Sequence, residues 1–494
     1  MKIKLRNKLA YACGDIYGGG AFMIFSLLFM NYLVLVEGLP IIATTIIIFA
    51  GRLWDAITDP IVGRISDKTR SRFGRRRIFF LMGIIPVFLS FVMLFYSFGM
   101  DDISAKIVYY IFAYMFFGTA FAIVMVPYNA ILSDMTSDYN VRTSFTTYRM
   151  MFSGLASLLA AIIPSILIRA VGSPYIGPGQ RPGYLLQGII FGCIFALCWF
   201  FVFLGTKERK DVSPAEKISL KEWLDVFDNK AYRNFLGIFL SFQIAVDLVL
   251  AMFIFYIDIV VLQYQNYELV VGTLLVCMVL FMPIHGMIAE KKGKAFPLYI
   301  GLPIWIASTF AFVFIDSGTP ILVLCIISGL IAIGSAAGNL STWSMLTDIY
   351  DVDELRTAKR REGLYSGVTT FIRKFASGFA VLLMGFGFST MGFDQNEYSI
   401  LKAGLVDFDP VVFAQNDIVA GIRTMFVVIP AVLLSICLIF ALKNKLNKRR
   451  FDAILRGIAC LKAKGDIETL ETEEIEDILL ITGSKKERLW GRKI

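Results

Sequence analysis

The sequence is poor in charged residues and has almost no histidine. Only 18% of its 494 residues are charged, and His285 is the only histidine. A single histidine excludes histidine clusters as metal sites or proton relays. The seven cysteines are scattered, without disulfide or metal-ligand spacing. Since a Ser/His/Asp set and a phosphate-binding loop are also missing, we expect neither an enzyme nor a bound cofactor.

Long apolar runs recur along the whole chain instead. Hydrophobic residues make up 57% of the sequence, and its mean hydropathy is +0.69. A helix that crosses a bilayer needs about 20 largely apolar residues. The runs therefore predict an all-α polytopic membrane protein with twelve transmembrane helices. The predicted spans are 9–36, 40–66, 78–99, 106–134, 143–171, 184–206, 234–264, 268–290, 296–315, 320–350, 363–388 and 418–442.

Lysine and arginine in the short loops predict the orientation. Basic clusters occur at residues 2–8, 68–77, 291–294 and 356–361, and all four fall on one side of the predicted membrane. Positive loops face the cytoplasm. We expect a multi-pass protein of the plasma (inner) membrane with both termini cytoplasmic. The net charge of +9 follows mainly from these loops and needs no nucleic-acid partner.

Similar residue pairs in the two halves of the chain predict an internal duplication. Asp134 is followed by Arg142 after eight residues, and Asp348 is followed by Arg356 after eight residues. Repeated acid and base pairs at corresponding helix ends are typical of transporters whose two bundles rock around a central site. We predict an N-terminal six-helix bundle (1–206), a cytoplasmic central loop (207–233), a C-terminal six-helix bundle (234–442) and a cytoplasmic helical tail (443–494).

Two carboxylates lie inside an apolar span. Asp55 and Asp59 are one helical turn apart and therefore share a helix face. An ionised side chain near the bilayer centre costs about 2.5–3.5 kcal/mol, so two on one face indicate a cation between them. This pair predicts cation-coupled transport.

The same stretch carries a family resemblance. Asp55-Ala-Ile-Thr-Asp-Pro60 with the basic loop that follows, and the segments 348–351 and 359–366 with Lys374, resemble the hallmark motifs of the glycoside-pentoside-hexuronide:cation symporter family, which includes melibiose permease. The match extends from about Leu9 to Lys443. The resemblance implies the major facilitator fold and cation-driven import of a sugar, glycoside or hexuronide by alternating access.

The resemblance also implies a cation site. Asp55 and Asp59 match the family's cation-binding carboxylates, Thr58 stands where sodium-using members often have an amide, and Lys374 matches the coupling lysine. Ala122 replaces a hydroxyl residue of melibiose permease. This replacement removes a possible oxygen ligand and favours a proton as the coupling ion, with sodium left open, and no other metal is expected. The alternatives are that the acids only cap the basic loop and that Lys374 extends towards the cytoplasm.

Substrate contacts depart from melibiose permease. Its two sugar-binding acids fall at Gly19 and Met125, and its tryptophan platforms fall at Asn129 and Asn339, which disfavours a melibiose-like galactoside. Carboxylates and amides bind hydroxyls, and aromatic rings pack on the apolar face of a sugar. The alternative role is helix packing or pairing between the bundles for each candidate, and for Arg149 it is pairing with an acid between the bundles. The candidates are Asp15, Tyr17, Tyr128, Asn129, Arg149, Gln243, Asp247, Asn339 and Trp343.

Charged residues at the cytoplasmic helix ends predict a gate. Opposite charges there can latch the two bundles, and exposed pairs are weak enough, about 0–1 kcal/mol, to reopen. The alternative is that these residues are solvated charges that only set topology. The predicted gate residues are Asp134, Arg142, Asp348, Asp351, Glu354, Arg356 and Arg360.

The tail is longer than transport requires. Phe451, Ile454 and Ile458 recur at helical spacing, and Thr472 begins an acidic helix that we expect to end before Gly483. We expect this segment to pack on the cytoplasmic face or on lipid.

Three other functions stay open. They are symport of an amphiphilic or lipid-like solute, efflux by exchange, and a non-transporting membrane sensor. The expected partners are a small-molecule solute and membrane lipid, and we expect the protein to be monomeric.

Overall fold

The computed structural model of the chain describes residues 5–135, 139–173, 177–208, 224–263, 266–359, 361–392, 417–463, 467–483 and 489–490. Within these ranges, twelve helical stretches are long and apolar enough to cross a membrane, from Leu5–Phe29 to Val419–Leu442. The predicted all-α fold with twelve spans is therefore confirmed.

The α-helices are numbered along the chain. Several spans extend beyond a single α-helix into short π-helical or 3-10 turns. The α-helices are α1 (Leu5–Ala12), α2 (Gly14–Ile24), α3 (Ile41–Lys68), α4 (Arg77–Leu94), α5 (Ile103–Met135), α6 (Tyr139–Val171), α7 (Arg181–Gly205), α8 (Lys230–Phe255), α9 (Tyr267–Lys292), α10 (Phe296–Ala311), α11 (Ile321–Thr357), α12 (Glu362–Thr390), α13 (Asp417–Leu442), α14 (Lys448–Lys462) and α15 (Thr472–Thr482).

Prolines start some helices and lie inside others. Pro40 and Pro320 have extended backbones and come directly before α3 and α11. Proline inside a span predicts a helix break, as expected at Pro60, Pro127 and Pro283. That prediction is wrong, because α3, α5 and α9 continue through these residues. Packed neighbours and local adjustments of the backbone let a membrane helix tolerate proline.

Spans one and seven end in the same way. Each closes with a π-helical turn, Tyr32–Val36 in span one and Tyr256–Val260 in span seven. The amide that follows the turn, of Glu37 or of Val261, donates to the carbonyl of the turn's first residue at 2.9 and 3.2 Å. Such turns are rare and are often found at functional sites. Their recurrence six spans apart favours the predicted duplication.

The chain forms two compact units. The first unit comprises residues 1–216, 250–272 and 374–422. The second unit comprises residues 217–249, 273–373 and 423–494. The division into two bundles, a central loop and a tail stays a prediction.

Within the second unit, the tail packs on the end of α11. The predicted tail helices are confirmed as α14 and α15, and Gly483 ends α15 with a positive φ of 63°. Glycine adopts this left-handed conformation without steric cost. The apolar faces of both helices form one buried cluster with α11. Its members are Val352, Leu355, Ala453, Ile454, Ile458, Leu461, Ile467, Ile478, Ile481 and Leu489.

Candidate functional site

The first unit brings the predicted cation and coupling residues together. Asp55 and Asp59 lie one turn apart on α3, as expected, since the helix is continuous through both. The ammonium of Lys374, on α12, donates to Oδ2 of Asp59 at 2.7 Å. The side chains of Lys374 and Asp59 are 15% and 26% exposed, so this ion pair is partly accessible.

Asp55 lies deeper than Asp59. Its Oδ1 is buried and accepts no hydrogen bond from the residues that the structure describes. Gly118 of α5 faces this oxygen so closely that any side chain there would collide with it. Lys374 and Arg52 both act electrostatically on the carboxylate. A buried carboxylate oxygen without a hydrogen bond is a suitable ligand for a cation.

Arg52 is a site residue that the sequence motifs did not reveal. It lies three residues before Asp55 on α3 and so on the same helix face, and this spacing was the available signal. Its guanidinium lies 5.5 and 5.8 Å from the ring centroids of Phe22 and Phe25. Arg52 and Lys374 are thus two basic groups beside the two carboxylates.

Thr58 can add an oxygen, whereas Ala122 cannot. The Thr58 hydroxyl donates to the Trp54 carbonyl at 3.0 Å, and this leaves oxygen lone pairs for a second contact. Trp54 in turn donates to Thr119 of α5 at 2.9 Å and ties α3 to that helix. Ala122 is fully buried. Carboxylate and hydroxyl oxygens are hard ligands of the kind that small hard cations take.

A second polar cluster joins four of the predicted solute contacts. Arg149 of α6 donates to both oxygens of Asp15, at 2.8 and 3.2 Å, and to Oδ1 of Asn129 at 2.7 Å. Its guanidinium also lies 4.8 Å from the ring centroid of Tyr128. A bidentate arginine–carboxylate pair is strong and directional. Because these groups already bond to one another, a solute can form hydrogen bonds with them only by displacing one partner of the pair or by sharing it.

Two predicted solute contacts lie in the interior of the first unit. Tyr17 and Tyr128 are both fully buried. Tyr128 stacks on Tyr11 at 4.6 Å between ring centroids and donates to the Tyr11 carbonyl at 2.8 Å. This burial favours packing over solute contact, and the solute role of both tyrosines stays a prediction.

Close helix packing accounts for one missing sugar-binding acid. A Cβ atom at Gly19 of α2 would lie 2.6 Å from Oγ of Ser153 and 2.8 Å from Oγ of Ser157, both on α6. A carboxylate has no room there. The second such position, Met125, is buried, and a Cβ atom at Gly18 would lie 2.8 Å from its Cε.

The other predicted solute contacts belong to the second unit. Asp247 accepts from Arg373 at 3.4 Å, a partner that the sequence motifs did not indicate. Gln243 is buried, and its Nε2 has no hydrogen-bond partner among the described residues. Asn339 donates back to its own helix, and Trp343 is 49% exposed.

The predicted gate residues are only partly described. Asp134 and Arg142 lie on α5 and α6 without described side chains, and Arg360 lies outside the described residues. Asp348 pairs with Lys294, and Glu354 pairs with Lys462 at 2.6 Å.

Asp351 and Arg356 also lie on α11. The two ion pairs of Asp348 and Glu354 are both within the second unit. The latching role of the whole set stays a prediction.

A buried ion pair next to these residues was not predicted. Arg361 donates to both oxygens of Asp353, at 2.8 and 2.7 Å, and the Tyr365 hydroxyl donates to Asp353 at 2.8 Å. The hydrogen bonds to Asp353 raise the pKa of Arg361 above its ordinary value. Asp353 is fully buried, and only the folded structure distinguishes it from its neighbour Glu354.

Comparison with known proteins agrees with this fold and motif set. The family model described as MFS/sugar transport protein matches residues 10–448. The chain is 25% identical over 469 residues to the uncharacterized symporter YjmB of Bacillus subtilis (strain 168), which covers 92% of this chain and 96% of that protein. It is 26% identical over 450 residues to the sodium-dependent lysophosphatidylcholine symporter 1 of Gallus gallus, covering 83% and 84%.

A solved structure shares the fold. The inward-open conformation of the xylose transporter XylE from E. coli matches with a TM-score of 0.60 at 13% identity, covering 89% of this chain and 96% of that one. At that identity the likeness shows the fold alone. The chain therefore belongs to the MFS/sugar transport protein family, among the melibiose-permease-like symporters of the major facilitator superfamily, and is a multi-pass membrane symporter.

Proposed function

We propose that the protein is a monomeric, cation-coupled symporter of the plasma membrane that imports a sugar, glycoside or hexuronide by alternating access. The observation that carries this proposal is the cluster of Asp55, Asp59 and Lys374 in the first unit. Intramembrane ionisable residues are expensive and are usually functional. Here they supply both a cation site and a basic group that the cation can displace.

Coupling follows from competition for the carboxylates. Lys374 neutralises Asp59 when no cation is bound, and Arg52 acts on Asp55. A sodium ion or proton that reaches these acids weakens the ion pair of Asp59 and Lys374, because both positive charges need the same carboxylate oxygens. Binding of the ion thus loosens the Lys374 ammonium from Asp59. The helix α12, which carries Lys374, can then move during the transport cycle.

The polar cluster around Asp15 supports a hydroxyl-rich or anionic solute. Asp15, Asn129 and Arg149 already satisfy one another through short hydrogen bonds. Sugar hydroxyls can share these groups, and a hexuronide carboxylate can replace Asp15 as the partner of Arg149. The half-exposed ring of Trp343 offers an apolar face in the second unit.

Electrogenic current in proteoliposomes tests the proposal. Pentosides, hexosides and hexuronates are applied in turn under separate sodium and proton gradients. A current with one solute class under one gradient is the expected result. Asp59→Asn removes a carboxylate charge of the site and should abolish uphill accumulation while leaving exchange, whereas Asp101→Asn, at an exposed position before α5, should behave as the wild type.

A second candidate function is symport of an amphiphilic, lipid-like solute. The observation that favours it is the 26% identity to a relative named as a lysophosphatidylcholine symporter. Uptake of fluorescent lysophosphatidylcholine into vesicles that hold the purified protein separates the two candidates. If uptake of the lipid depends on an ion, and no pentoside, hexoside or hexuronate gives a current, then the solute is lipid-like rather than a sugar. Solute binding without any flux would indicate a sensor.

A further inference from the structure

Two polar atoms in the first unit are buried without a hydrogen bond. They are the phenolic oxygen of Tyr17 and Oδ1 of Asp55, and neither has a partner among the described residues. The Tyr17 side chain is fully buried. Burial of polar groups without compensation is unfavourable, so such atoms indicate a missing partner.

Both side chains lie against the same turn of α5. The Tyr17 ring packs on Phe117 and Phe121, with centroids 6.5 and 5.2 Å away. Gly118, between those two residues, is the position that faces Oδ1 of Asp55. The Asp55 carboxylate also acts electrostatically on the Tyr17 hydroxyl. Tyr17 and Asp55 therefore approach the same stretch of α5, and no hydrogen bond joins their oxygens.

Gly118 makes this arrangement possible. A side chain at position 118 would occupy the space of the carboxylate oxygen. The aromatic wall around Tyr17, completed by Phe195 and Trp199 at 5.2 and 5.9 Å, leaves the ring little freedom to turn its hydroxyl elsewhere. The four surrounding rings thus hold the Tyr17 ring beside the turn of α5 that carries Gly118.

We propose that Tyr17 is a ligand of the cation site, where its phenolic oxygen and Oδ1 of Asp55 together bind sodium. This inference rests on the proposed function and names the ion that the site takes. A neutral hydroxyl oxygen is a hard ligand that suits sodium, and it supplies the oxygen that Ala122 lacks. Tyr17 is thereby reassigned from the solute to the cation.

The decisive variant is Tyr17→Phe, which removes one oxygen and keeps the ring. Sodium binding to the purified full-length protein without solute is measured by isothermal titration calorimetry, with choline chloride as the ionic-strength control. We expect sodium affinity to fall roughly tenfold or more, the loss typical when a supporting partner of a metal ligand is removed. Melting in sodium-free buffer checks that the variant is folded.

Tyr11→Phe is the matched control. Tyr11 also lies in span one and is fully buried, but its hydroxyl contacts the Tyr128 carbonyl and interacts with Asp15 and Arg149 rather than with Asp55. Its removal should leave sodium binding unchanged. Wild-type sodium affinity in a folded Tyr17→Phe protein would overturn the proposal and assign the hydroxyl to packing. Sodium-independent wild-type transport that still follows a proton gradient would also overturn it, while leaving cation coupling intact.

Discussion

The ammonium of Lys374 donates to Asp59 at 2.7 Å, although the two residues are 315 positions apart in the chain. This hydrogen bond joins α12 to α3 within the first unit. The Asp59 side chain is 26% exposed, whereas Oδ1 of Asp55 on the same helix face is buried. The two carboxylates of the predicted cation site therefore differ in burial, and Asp59 is the more accessible of the two.

Lys374→Ala should uncouple the ion from the solute. The substitution removes the basic group that competes with the ion for Asp59, so uphill accumulation of solute should be largely lost. Solute exchange without a gradient should continue, because the polar cluster around Asp15 is untouched. Parallel assays of concentrative uptake and exchange in proteoliposomes measure both quantities.

The control for this variant is Lys292→Ala. Lys292 is an exposed lysine at the end of α9, where its ammonium lies 4.5 Å from the ring centroid of Phe296. Its loss should change neither assay. If Lys374→Ala accumulated solute as the wild type does, the coupling scheme would be rejected.

The pair of Asp15 and Arg149 should be far more sensitive to one substitution than to two. Either Asp15→Asn or Arg149→Gln leaves a buried charge without its partner, which typically costs about 3–5 kcal/mol. The double variant removes both charges and should recover part of that loss. Thermal melting of the three purified variants, analysed as a double-mutant cycle, measures the coupling.

Arg149→Lys distinguishes charge from geometry in that pair. Lysine keeps the positive charge but cannot form the two parallel hydrogen bonds that Arg149 donates to Asp15. We expect an intermediate melting temperature. Additive effects of the two single substitutions would show that the ion pair contributes little.

The sequence predicts those parts of the structure that depend on local properties. The twelve spans follow from apolar length, and the tail helices follow from spacing and from Gly483. Burial does not follow, because the rotation of a helix about its axis depends on all its neighbours. Tyr17 and Tyr128 are polar aromatics in a predicted cavity helix, yet both are fully buried.

Ion-pair partners are equally hard to predict. The motifs identified Lys374 and Asp59, but they did not identify Arg52 or the pair of Asp353 and Arg361. Arg52 could have been found from its helical spacing to Asp55. Asp353 could not, because its neighbour Glu354 is equally acidic and also buried, and only the fold pairs Asp353 with Arg361 and Glu354 with Lys462.

Gly19→Ala should destabilise the protein, whereas Gly154→Ala should not. The added methyl group at Gly19 would meet both the side chain and the carbonyl of Ser153, at 2.6 and 2.8 Å, so α2 and α6 would have to separate. At Gly154 of α6 a methyl group meets nothing within 4 Å. Alanine there should raise stability by about 0.5–1 kcal/mol, because glycine inside a helix is unfavourable.

The melting temperatures of these two variants form a matched pair. Equal melting temperatures would contradict the close contact at Gly19. They would also remove the steric explanation for the missing acid at that position, and the absence of a melibiose-like site would then need another cause.

Two neighbouring residues of the tail helix α14 differ strongly in burial. Ile454 is fully buried in the cluster between α14 and α11, whereas the next residue, Leu455, is 42% exposed. Ile454→Asp introduces a charge into an apolar interior, and the helix must leave the cluster to solvate it. Leu455→Asp places the same charge in solvent and should leave the tail docked.

Hydrogen exchange of the α14 amides measures this difference. Release of the helix exposes its backbone hydrogen bonds, so exchange in Ile454→Asp should be roughly tenfold faster or more, while exchange in Leu455→Asp stays at the wild-type rate. The ion pair of Lys462 and Glu354 is part of the same docking and should also be lost in Ile454→Asp. Equal protection in both variants would mean that the cluster does not hold the tail. If exchange instead shows that Ile454→Asp releases α14, unchanged solute uptake in that variant would assign the tail to stability rather than to transport.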